Sequence, residues 1–125
     1  HGSERVNGAL QFGRGIGTTT GTASGQSATL VLLNGHRIAH GGLVFTLADT
    51  AFAMACNEEG SVTVSSGAEI TFLAPSLPGQ TLTATAKLRS KRGRSGIYDV
   101  EVRSETGLVA EFRGHSRTMR PSDNG

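Results

Sequence analysis

The sequence has few of the residues that cross-link a chain or anchor it in a membrane. Among its 125 residues there is one cysteine, Cys56, and there is no tryptophan. A single cysteine excludes an internal disulfide framework and a zinc site built on several cysteines, which makes the reducing cytoplasm the expected compartment. No run of about 18 apolar residues occurs, and no charged and then apolar leader is visible, so neither a transmembrane helix nor secretion is expected.

Apolar side chains are also scarce. Aromatic residues make up 5% of the sequence and all hydrophobic residues 36%, while glycine contributes 18 residues. These values predict one domain, residues 4–120, with a modest core rich in alanine, valine and leucine. A chain that buries so little surface by itself often forms oligomers. Residues 1–3 are expected to be the remnant of a tag, and residues 121–125 a flexible tail.

The charge is nearly balanced but unevenly distributed. The net charge of +2 is too small to indicate a nucleic-acid-binding protein. Residues 87–120 nevertheless hold nine of the 12 lysines and arginines but four of the 10 acids, which gives this segment a charge of +5. Two interpretations stay open: a solvated hairpin tip, or a surface for an anionic ligand such as a phosphate-bearing cofactor. Nucleic acid ranks third, because stacking surfaces need aromatic residues and only Tyr98 and Phe112 lie here.

The hydrophobic pattern predicts one long helix and five strands. Residues 40–58 are apolar around nearly the whole helix and end before Gly60, which indicates a helix buried on most sides. Alternating and β-branched residues predict strands at 27–33, 62–72, 81–88, 97–103 and 108–119. Residues 4–27, rich in glycine, threonine and serine, are expected to be a flexible lead-in. Since short turns imply antiparallel neighbours, the expected fold is α+β, a sheet curled over one buried helix.

The middle of the predicted helix carries one acid, Asp49. An ionised carboxylate among apolar side chains is costly unless it is paired, solvated by a cleft or protonated. One interpretation is structural, with Asp49 hydrogen-bonded to a neighbouring strand or to a partner subunit. The other is that Asp49 lines a cleft as a general base or a nucleophile.

His40, Gly41 and Gly42 stand directly before the apolar run. Two glycines at a helix N-terminus leave backbone N–H groups uncovered, and these groups together with the helix dipole attract an oxygen anion. The same arrangement polarises a carbonyl and stabilises the oxyanion that forms from it. Close packing of the helix start against the sheet is the alternative explanation of the glycines.

The spacing of these residues has a consequence for assembly. Gly42 and Asp49 are seven residues apart, which is about 10.5 Å along one helix axis. That is too far for both to reach one reacting atom. If both act on the same substrate, they come from different subunits, whose helices run antiparallel across a two-fold axis. The catalytic interpretation therefore predicts a homodimer.

Other catalytic groups find little support. There is no Gly-x-Ser-x-Gly nucleophile motif. The histidines His36, His40 and His115 do not have a zinc-binding spacing, so no metal is expected. Cys56 lies on the buried helix with no activating base nearby in sequence, and we interpret it as a core residue.

The stretch from Asn34 to Phe52, with an Asn, a His-Gly-Gly and an Asp in the helix, closely resembles the hotdog-fold acyl-CoA thioesterases. Among them it is most similar to the phenylacetyl-CoA thioesterases of the phenylacetic acid degradation family. The similarity continues through residues 65–75, 79–84, 96–100 and 112–115. It implies the hotdog fold, an antiparallel β-sheet wrapped around one long central α-helix.

The resemblance also implies roles for the matching residues. Asp49 would be the catalytic carboxylate, which either activates water or attacks the thioester, and the Gly42 N–H would form the oxyanion hole. Asn34 and His40 would orient the thioester or the water, which Ser65 would help to hold. Substrate or coenzyme A would contact Gly41, Thr50, Ser66, Gly67, Arg89 and His115. No cofactor is implied, since coenzyme A is part of the substrate, and the assembly would be a dimer or a dimer of dimers.

The expected function is hydrolysis of an acyl-CoA, with an aryl or a medium-chain acyl group, to the acid and coenzyme A. One alternative is a hotdog hydratase or dehydratase that uses His40 and Asp49. Another is a non-catalytic acyl-CoA sensor, which the presence of Asp49 argues against. Neither a nucleic-acid nor a membrane partner is expected.

Overall fold

The computed structural model of the chain describes residues 4–11, 18–24, 27–33, 40–57, 62–77 and 79–119. They form seven strands and one helix: β1 (Glu4–Gln11), β2 (Thr18–Ser24), β3 (Ser27–Leu33), α1 (His40–Cys56), β4 (Val62–Phe72), β5 (Thr81–Arg92), β6 (Ser95–Ser104) and β7 (Gly107–Met119). The predicted tag remnant and tail lie outside the described residues. The described part of the chain contains no helix with both the length and the hydrophobicity that a bilayer crossing demands.

All seven strands belong to one antiparallel sheet in the order β1-β2-β3-β5-β6-β7-β4. The helix and the five predicted strands are present, which confirms the α+β hotdog architecture. The flexible lead-in predicted for residues 4–27 is wrong, because β1 and β2 extend the sheet beyond β3. β2 is rich in β-branched threonine, and pairing with β3 satisfies its backbone although it lacks an apolar alternation.

The helix lies against one face of the sheet. Period-two alternation turns Leu82, Ala84 and Ala86 of β5 and Val100 of β6 toward it, and they are buried. From α1 the buried residues are Leu43, Val44, Leu47, Ala48, Ala51, Phe52, Ala55 and Cys56. Together with buried residues of β3, β6 and β7, among them Leu30, Leu32 and Phe112, these two sets form the core.

The remaining face of α1 is open. Gly42, Phe45, Thr46 and Ala53 are exposed, and Asp49 is half-buried between them. At helical spacing these residues form one stripe, called here the open stripe of α1. The helix was expected to be buried on most sides, and eight of its residues are buried; the open stripe is the part that the described residues of the sheet leave uncovered.

Two β-bulges interrupt the sheet near predicted site residues. In β4 the register shifts between Ser65 and Gly67, so Ser66 is an extra residue that lies opposite no residue of β7. In β5 it shifts between Leu88 and Ser90, so Arg89 is the extra residue. A bulge bends its strand and redirects a side chain, and bulges are common beside active sites.

Candidate active site

The N-terminus of α1 is open to an approaching ligand. Gly41 and Gly42 are both exposed, and a Cβ added to Gly42 would meet no atom within 4 Å. A Cβ on Gly41 would lie 3.6 Å from Cζ of Phe72, so the Phe72 ring stands beside the first helical turn. The first N–H groups of a helix have no partner within it, and the first turn of α1 contains no acid. This end of α1 can therefore stabilise an oxyanion.

Asp49 lies on the open stripe, half-buried, two turns after Gly42. Its carboxylate has no hydrogen bond or ion pair with any described residue. The structural role considered for Asp49, a hydrogen bond to a neighbouring strand, is therefore absent among the described residues. A carboxylate that has no partner among the described residues, lies beside apolar helix residues and has access to solvent meets the requirements that were expected of a base or a nucleophile.

Cys56 lies two turns after Asp49 on the same helix and is 5% exposed. Burial, more than any other cause, raises the pKa of its thiol to about 11, and the negative charge of Asp49 acts in the same direction. A thiol with so high a pKa is protonated at neutral pH and is a poor nucleophile. Its predicted place in the core is confirmed.

The hydroxyl of Thr50, next to Asp49, is already engaged. It donates a 2.7 Å hydrogen bond to the carbonyl oxygen of Thr46, one turn earlier. Bonds of this type occupy the hydroxyl inside the helix. Contact between Thr50 and a substrate stays a prediction. The Thr50 hydroxyl oxygen can still accept a hydrogen bond for such a contact.

Ser65 and Ser66 lie at the β-bulge of β4, and each of their hydroxyl groups donates a hydrogen bond there. The Ser66 hydroxyl donates to the carbonyl oxygen of His115 at 3.2 Å, and the Ser65 hydroxyl donates to the carbonyl oxygen of Gly67 at 3.4 Å. Both serines are exposed. The bulge thus places two hydroxyl groups on the outermost strand, β4, where a neighbouring molecule can reach them.

Two of the predicted substrate or coenzyme A contacts, Arg89 and His115, lie on the other face of the sheet. Asp99 alternates with the buried Tyr98 and Val100, so its carboxylate points away from α1. Arg89 faces this carboxylate, with Nη1 3.5 Å from Oδ2 of Asp99, and the Arg89 side chain is 60% exposed. His115 occupies the same outer face, where its Nε2 lies 3.6 Å from Oε1 of Glu69.

Arg113 is the tighter partner of Asp99. Its Nε donates to Oδ1 at 2.8 Å and its Nη2 to Oδ2 at 3.2 Å, a bidentate pair. The Arg113 hydrogen bond is the main cause that lowers the pKa of Asp99, and Arg89 adds a smaller effect. Arg89 contacts Asp99 through Nη1 at 3.5 Å, and its side chain stays largely exposed.

The predicted residues therefore fall into two groups. The start of α1, Asp49 and the bulge serines concern the helix side and the edge of the sheet, whereas Arg89 and His115 are together on the outer face. Asn34 lies outside the described residues, and of His40 only its place at the start of α1 is described. Gly42 and Asp49 of one chain lie two turns apart on α1, so they do not come together within one chain. This agrees with the separation that their spacing predicts.

One feature of the site gave no signal in the sequence. A groove of about 370 Å³ runs beside the start of α1, between Gly41 and Val44 on the helix and Phe72–Ser76 on the chain after β4. Phe72 and Leu73 are each 52% exposed. Residues 72–75 belong to the stretch that carried the resemblance, but neither periodicity nor a motif indicated that they border the helix.

Comparisons with known proteins point in one direction. Residues 36–111 match the model of the family described as the thioesterase superfamily. Acyl-coenzyme A thioesterase PaaI of Escherichia coli is 48% identical over 94 residues, which are 74% of this chain and 67% of that protein. The solved structure of E. coli PaaI gives a TM-score of 0.69 at 42% identity, covering 78% of this chain and 75% of that one. An uncharacterised protein of Pyrococcus horikoshii gives a TM-score of 0.73 at 28% identity, with 84% of each chain covered.

Proposed function

Because the chain belongs to the thioesterase superfamily and is a thioester hydrolase, we propose that it converts an aryl- or medium-chain acyl-CoA to the free acid and coenzyme A. The observation that carries this proposal is Asp49, a carboxylate without a described partner on the open stripe of α1. It lies on the same helix as an uncovered N-terminus. Acyl transfer to water requires a base or a nucleophile together with a site that stabilises the oxyanion.

In the proposed reaction the thioester carbonyl oxygen accepts a hydrogen bond from the Gly42 N–H at the start of α1. Asp49 of the partner subunit either removes a proton from water, which attacks the carbonyl carbon, or attacks that carbon itself. The carbon–sulfur bond then breaks, and coenzyme A leaves as its thiol after it takes up a proton. In the second route an acyl-aspartyl anhydride forms first, and water hydrolyses it. Asn34, His40 and Ser65 orient the thioester or the water.

Two surfaces of the single chain support the homodimer that this reaction requires: the edge of β4 and the open stripe of α1. β4 is an edge strand of 11 residues, and Val62 and Val64 on it are 56% and 43% exposed. A long edge with exposed apolar side chains favours pairing with another strand. The open stripe of α1 carries Gly42 and Ala53, which allow a second helix to come close. Pairing of two copies through β4 would put their helices side by side, and dimers of dimers can follow from it.

The nucleotide part of coenzyme A carries phosphates, and these fit the basic side chains of the outer face. Arg89 is exposed on its bulge, and His115 lies toward the β4 edge. Guanidinium groups bind phosphate through paired N–H donors. Ser66 and Gly67 at the β4 bulge lie beside His115, where the pantetheine arm would pass the sheet edge toward α1.

The decisive experiment is release of free thiol from a panel of acyl-CoA thioesters by the wild-type protein and by Asp49→Asn. The panel contains phenylacetyl-, acetyl- and hexanoyl-CoA. Removal of a catalytic carboxylate is expected to lower kcat by about 100-fold or more. Glu105→Gln is the matched control, because it makes the same carboxyl-to-amide change at an exposed turn and keeps the oxygen that accepts the Thr81 N–H.

Two results would contradict the proposal. An Asp49→Asn protein that works at nearly the wild-type rate would remove Asp49 from the chemistry. A wild-type protein that binds acyl-CoA tightly but releases no thiol would favour the sensor instead. Circular dichroism and coenzyme A binding of the variant establish that it is folded.

A further inference from the structure

One aromatic ring stands on the open stripe of α1, between the two residues that the proposed reaction uses. Phe45 follows Gly42 by about one helical turn and precedes Asp49 by about one turn. Its side chain is 38% exposed. A molecule that extends along the stripe from Gly42 toward Asp49 therefore meets the Phe45 ring.

The Phe45 ring has a defined place in the fold. It packs against Phe112 of β7 in a T-shaped arrangement, with ring centroids 5.6 Å apart and planes at 66°. Phe112 is buried and packs in turn against Phe52. β7 lies next to the edge strand β4, so Phe45 is on the side of α1 that a second copy paired through β4 would face. The core thus holds one side of the ring and leaves the other side exposed.

A site shared between two subunits fixes where the two-fold axis crosses their helices. If Gly42 of each subunit lies opposite Asp49 of the other in antiparallel helices, the axis passes midway between these two positions. The midpoint falls between Phe45 and Thr46. The Phe45 residues of the two subunits therefore flank the axis, and each lies roughly 5 Å along the helix from the nearest reacting groups.

We propose that the two Phe45 rings separate the two sites of the dimer and form the wall that limits the length of the acyl group. Phe45 is then a specificity-determining residue, and the inference rests on the proposed thioesterase function. An acyl group whose thioester carbonyl is held at Gly42 extends along the stripe until it meets the rings. A longer acyl group has to displace a ring that packs on Phe112, and forcing atoms into a packed site is unfavourable.

The groove beside the start of α1 offers the other direction away from the thioester. It is lined by Gly41 and by Phe72–Ser76, where Phe72 is 52% exposed and Ser76 is buried. The groove lies where β4 ends, and the proposed path of the coenzyme A arm follows the β4 edge. A thioester carbon carries the sulfur on one side and the acyl group on the other. An arm that arrives through the groove therefore leaves the stripe for the acyl group.

Cross-linking locates the axis without any substrate. Thr46→Cys places a thiol about 1.5 Å along the helix from its copy, so a short bis-maleimide that spans an interhelical distance of about 8–10 Å is expected to join the subunits. Ala53→Cys, which is exposed on the same stripe, would lie about 22 Å along the helix from its copy and is expected to stay unlinked. The wild-type protein is the control for Cys56, which is buried.

The acyl limit is measured as kcat/KM for straight-chain acyl-CoA thioesters from butanoyl to dodecanoyl. In Phe45→Ala the ratio of decanoyl- to hexanoyl-CoA is expected to rise by about tenfold or more, because a single methylene in a tight pocket is worth about that factor. Phe45→Leu keeps an apolar contact with Phe112, so we expect it to be folded and to show a smaller rise. In Phe72→Ala the ratio is expected to stay near the wild-type value.

Three results would overturn the inference. The first is a wild-type ratio in both Phe45 variants, with circular dichroism showing that they are folded. The second is a rise in Phe72→Ala but not in Phe45→Ala, which would place the acyl group in the groove. The third is cross-linking of Ala53→Cys but not of Thr46→Cys, which would put the axis elsewhere. Absence of thiol release from every substrate would instead refute the proposed function, and the cross-linking result would not depend on it.

Discussion

At the scale of single residues, two glycines have opposite surroundings. Gly114 on β7 faces the core, and a Cβ there would come within 2.7 Å of three ring atoms of Phe52. Tyr98 and Phe112 pack against the Phe52 ring at centroid distances of 5.6 and 5.8 Å and limit the space into which it can move. Gly42 has no atom near the place where its Cβ would be. One glycine therefore makes room for the core, and the other leaves room for a ligand.

We expect Gly114→Ala to lower the free energy of unfolding by about 1–3 kcal/mol, the usual cost of inserting atoms into a packed core. Thermal or denaturant unfolding measures it. Gly42→Ala is the control for the substitution itself and is expected to leave the free energy of unfolding unchanged or slightly higher, since alanine favours a helix. A Gly114→Ala protein as stable as the wild type would mean that Phe52 and its neighbours can repack.

Residue-scale prediction from the sequence succeeds where a residue breaks a pattern. Asp49 interrupts an apolar helix, and its lack of a described partner fits that anomaly. Ser76 breaks no pattern, because a serine after a proline in a turn is ordinary. Its burial depends on where α1 and the chain after β4 meet, which no local sequence feature encodes.

At the scale of elements, the outer face of the sheet carries a row of alternating charges. The register pairs Lys87 with Asp99, Asp99 with Arg113, and Arg113 with Glu69, across four neighbouring strands. Opposite charges on directly paired residues are favourable in a sheet. Arg89 stands outside this row because its bulge adds it to β5 without a partner residue. The bulge thus leaves Arg89 without a directly opposite residue, and its contact with Asp99 is longer, at 3.5 Å, than the contact that Arg113 makes at 2.8 Å.

This placement predicts the effect of Arg89→Ala on catalysis. If Arg89 binds a phosphate of coenzyme A, its removal raises KM for acyl-CoA by about three- to tenfold and leaves kcat nearly unchanged. Steady-state kinetics at low and high salt measures the change, which is expected to shrink at high salt because ions screen exposed charges.

Arg103→Ala is the matched control for this prediction. Arg103 is exposed on the same strand pair and contacts Glu101 at 3.2 Å. We expect its KM to match the wild type. Equal increases of KM in both variants would indicate a general charge effect, and no increase in either would remove Arg89 from the coenzyme A site.

The elements themselves were predictable to different degrees. Apolar periodicity indicated α1 and the five strands from β3 to β7, with α1 observed at His40–Cys56 against a predicted 40–58. β1 and β2 were missed, because they form through pairing with the free edge of β3 and not through an apolar pattern of their own. The bulge at Arg89 was also not predicted from the sequence, because register depends on how two strands pair and not on one strand alone.

At the scale of the whole molecule, the proposed site is incomplete in one chain. The start of α1 and Asp49 are about 10.5 Å apart along a rigid helix, and no movement within one subunit closes that distance. β4 offers an exposed edge and α1 an open stripe, both of which a second copy would cover. Activity should then depend on assembly and not on folding alone.

Mixing two inactive variants tests this dependence directly. Asp49→Asn removes the carboxylate. Gly42→Pro removes the N–H at the helix start and breaks no helical hydrogen bond there, because that N–H has none within the helix. If each site takes Gly42 from one subunit and Asp49 from the other, a mixed dimer contains one intact site and one doubly altered site. Random reassociation at equal amounts makes half of the dimers mixed, so about a quarter of the wild-type activity is expected to return.

The same mixture excludes the competing arrangement. If Gly42 and Asp49 of one subunit served the same site, every site in a mixed dimer would carry one altered residue, and activity would stay at the level of the separate variants. Wild-type protein diluted with the doubly altered variant serves as the control for reassociation, because every mixed dimer then carries one altered residue in each shared site and is inactive. A return of activity in the first mixture, and a loss beyond simple dilution in the second, follows only from sites shared between subunits.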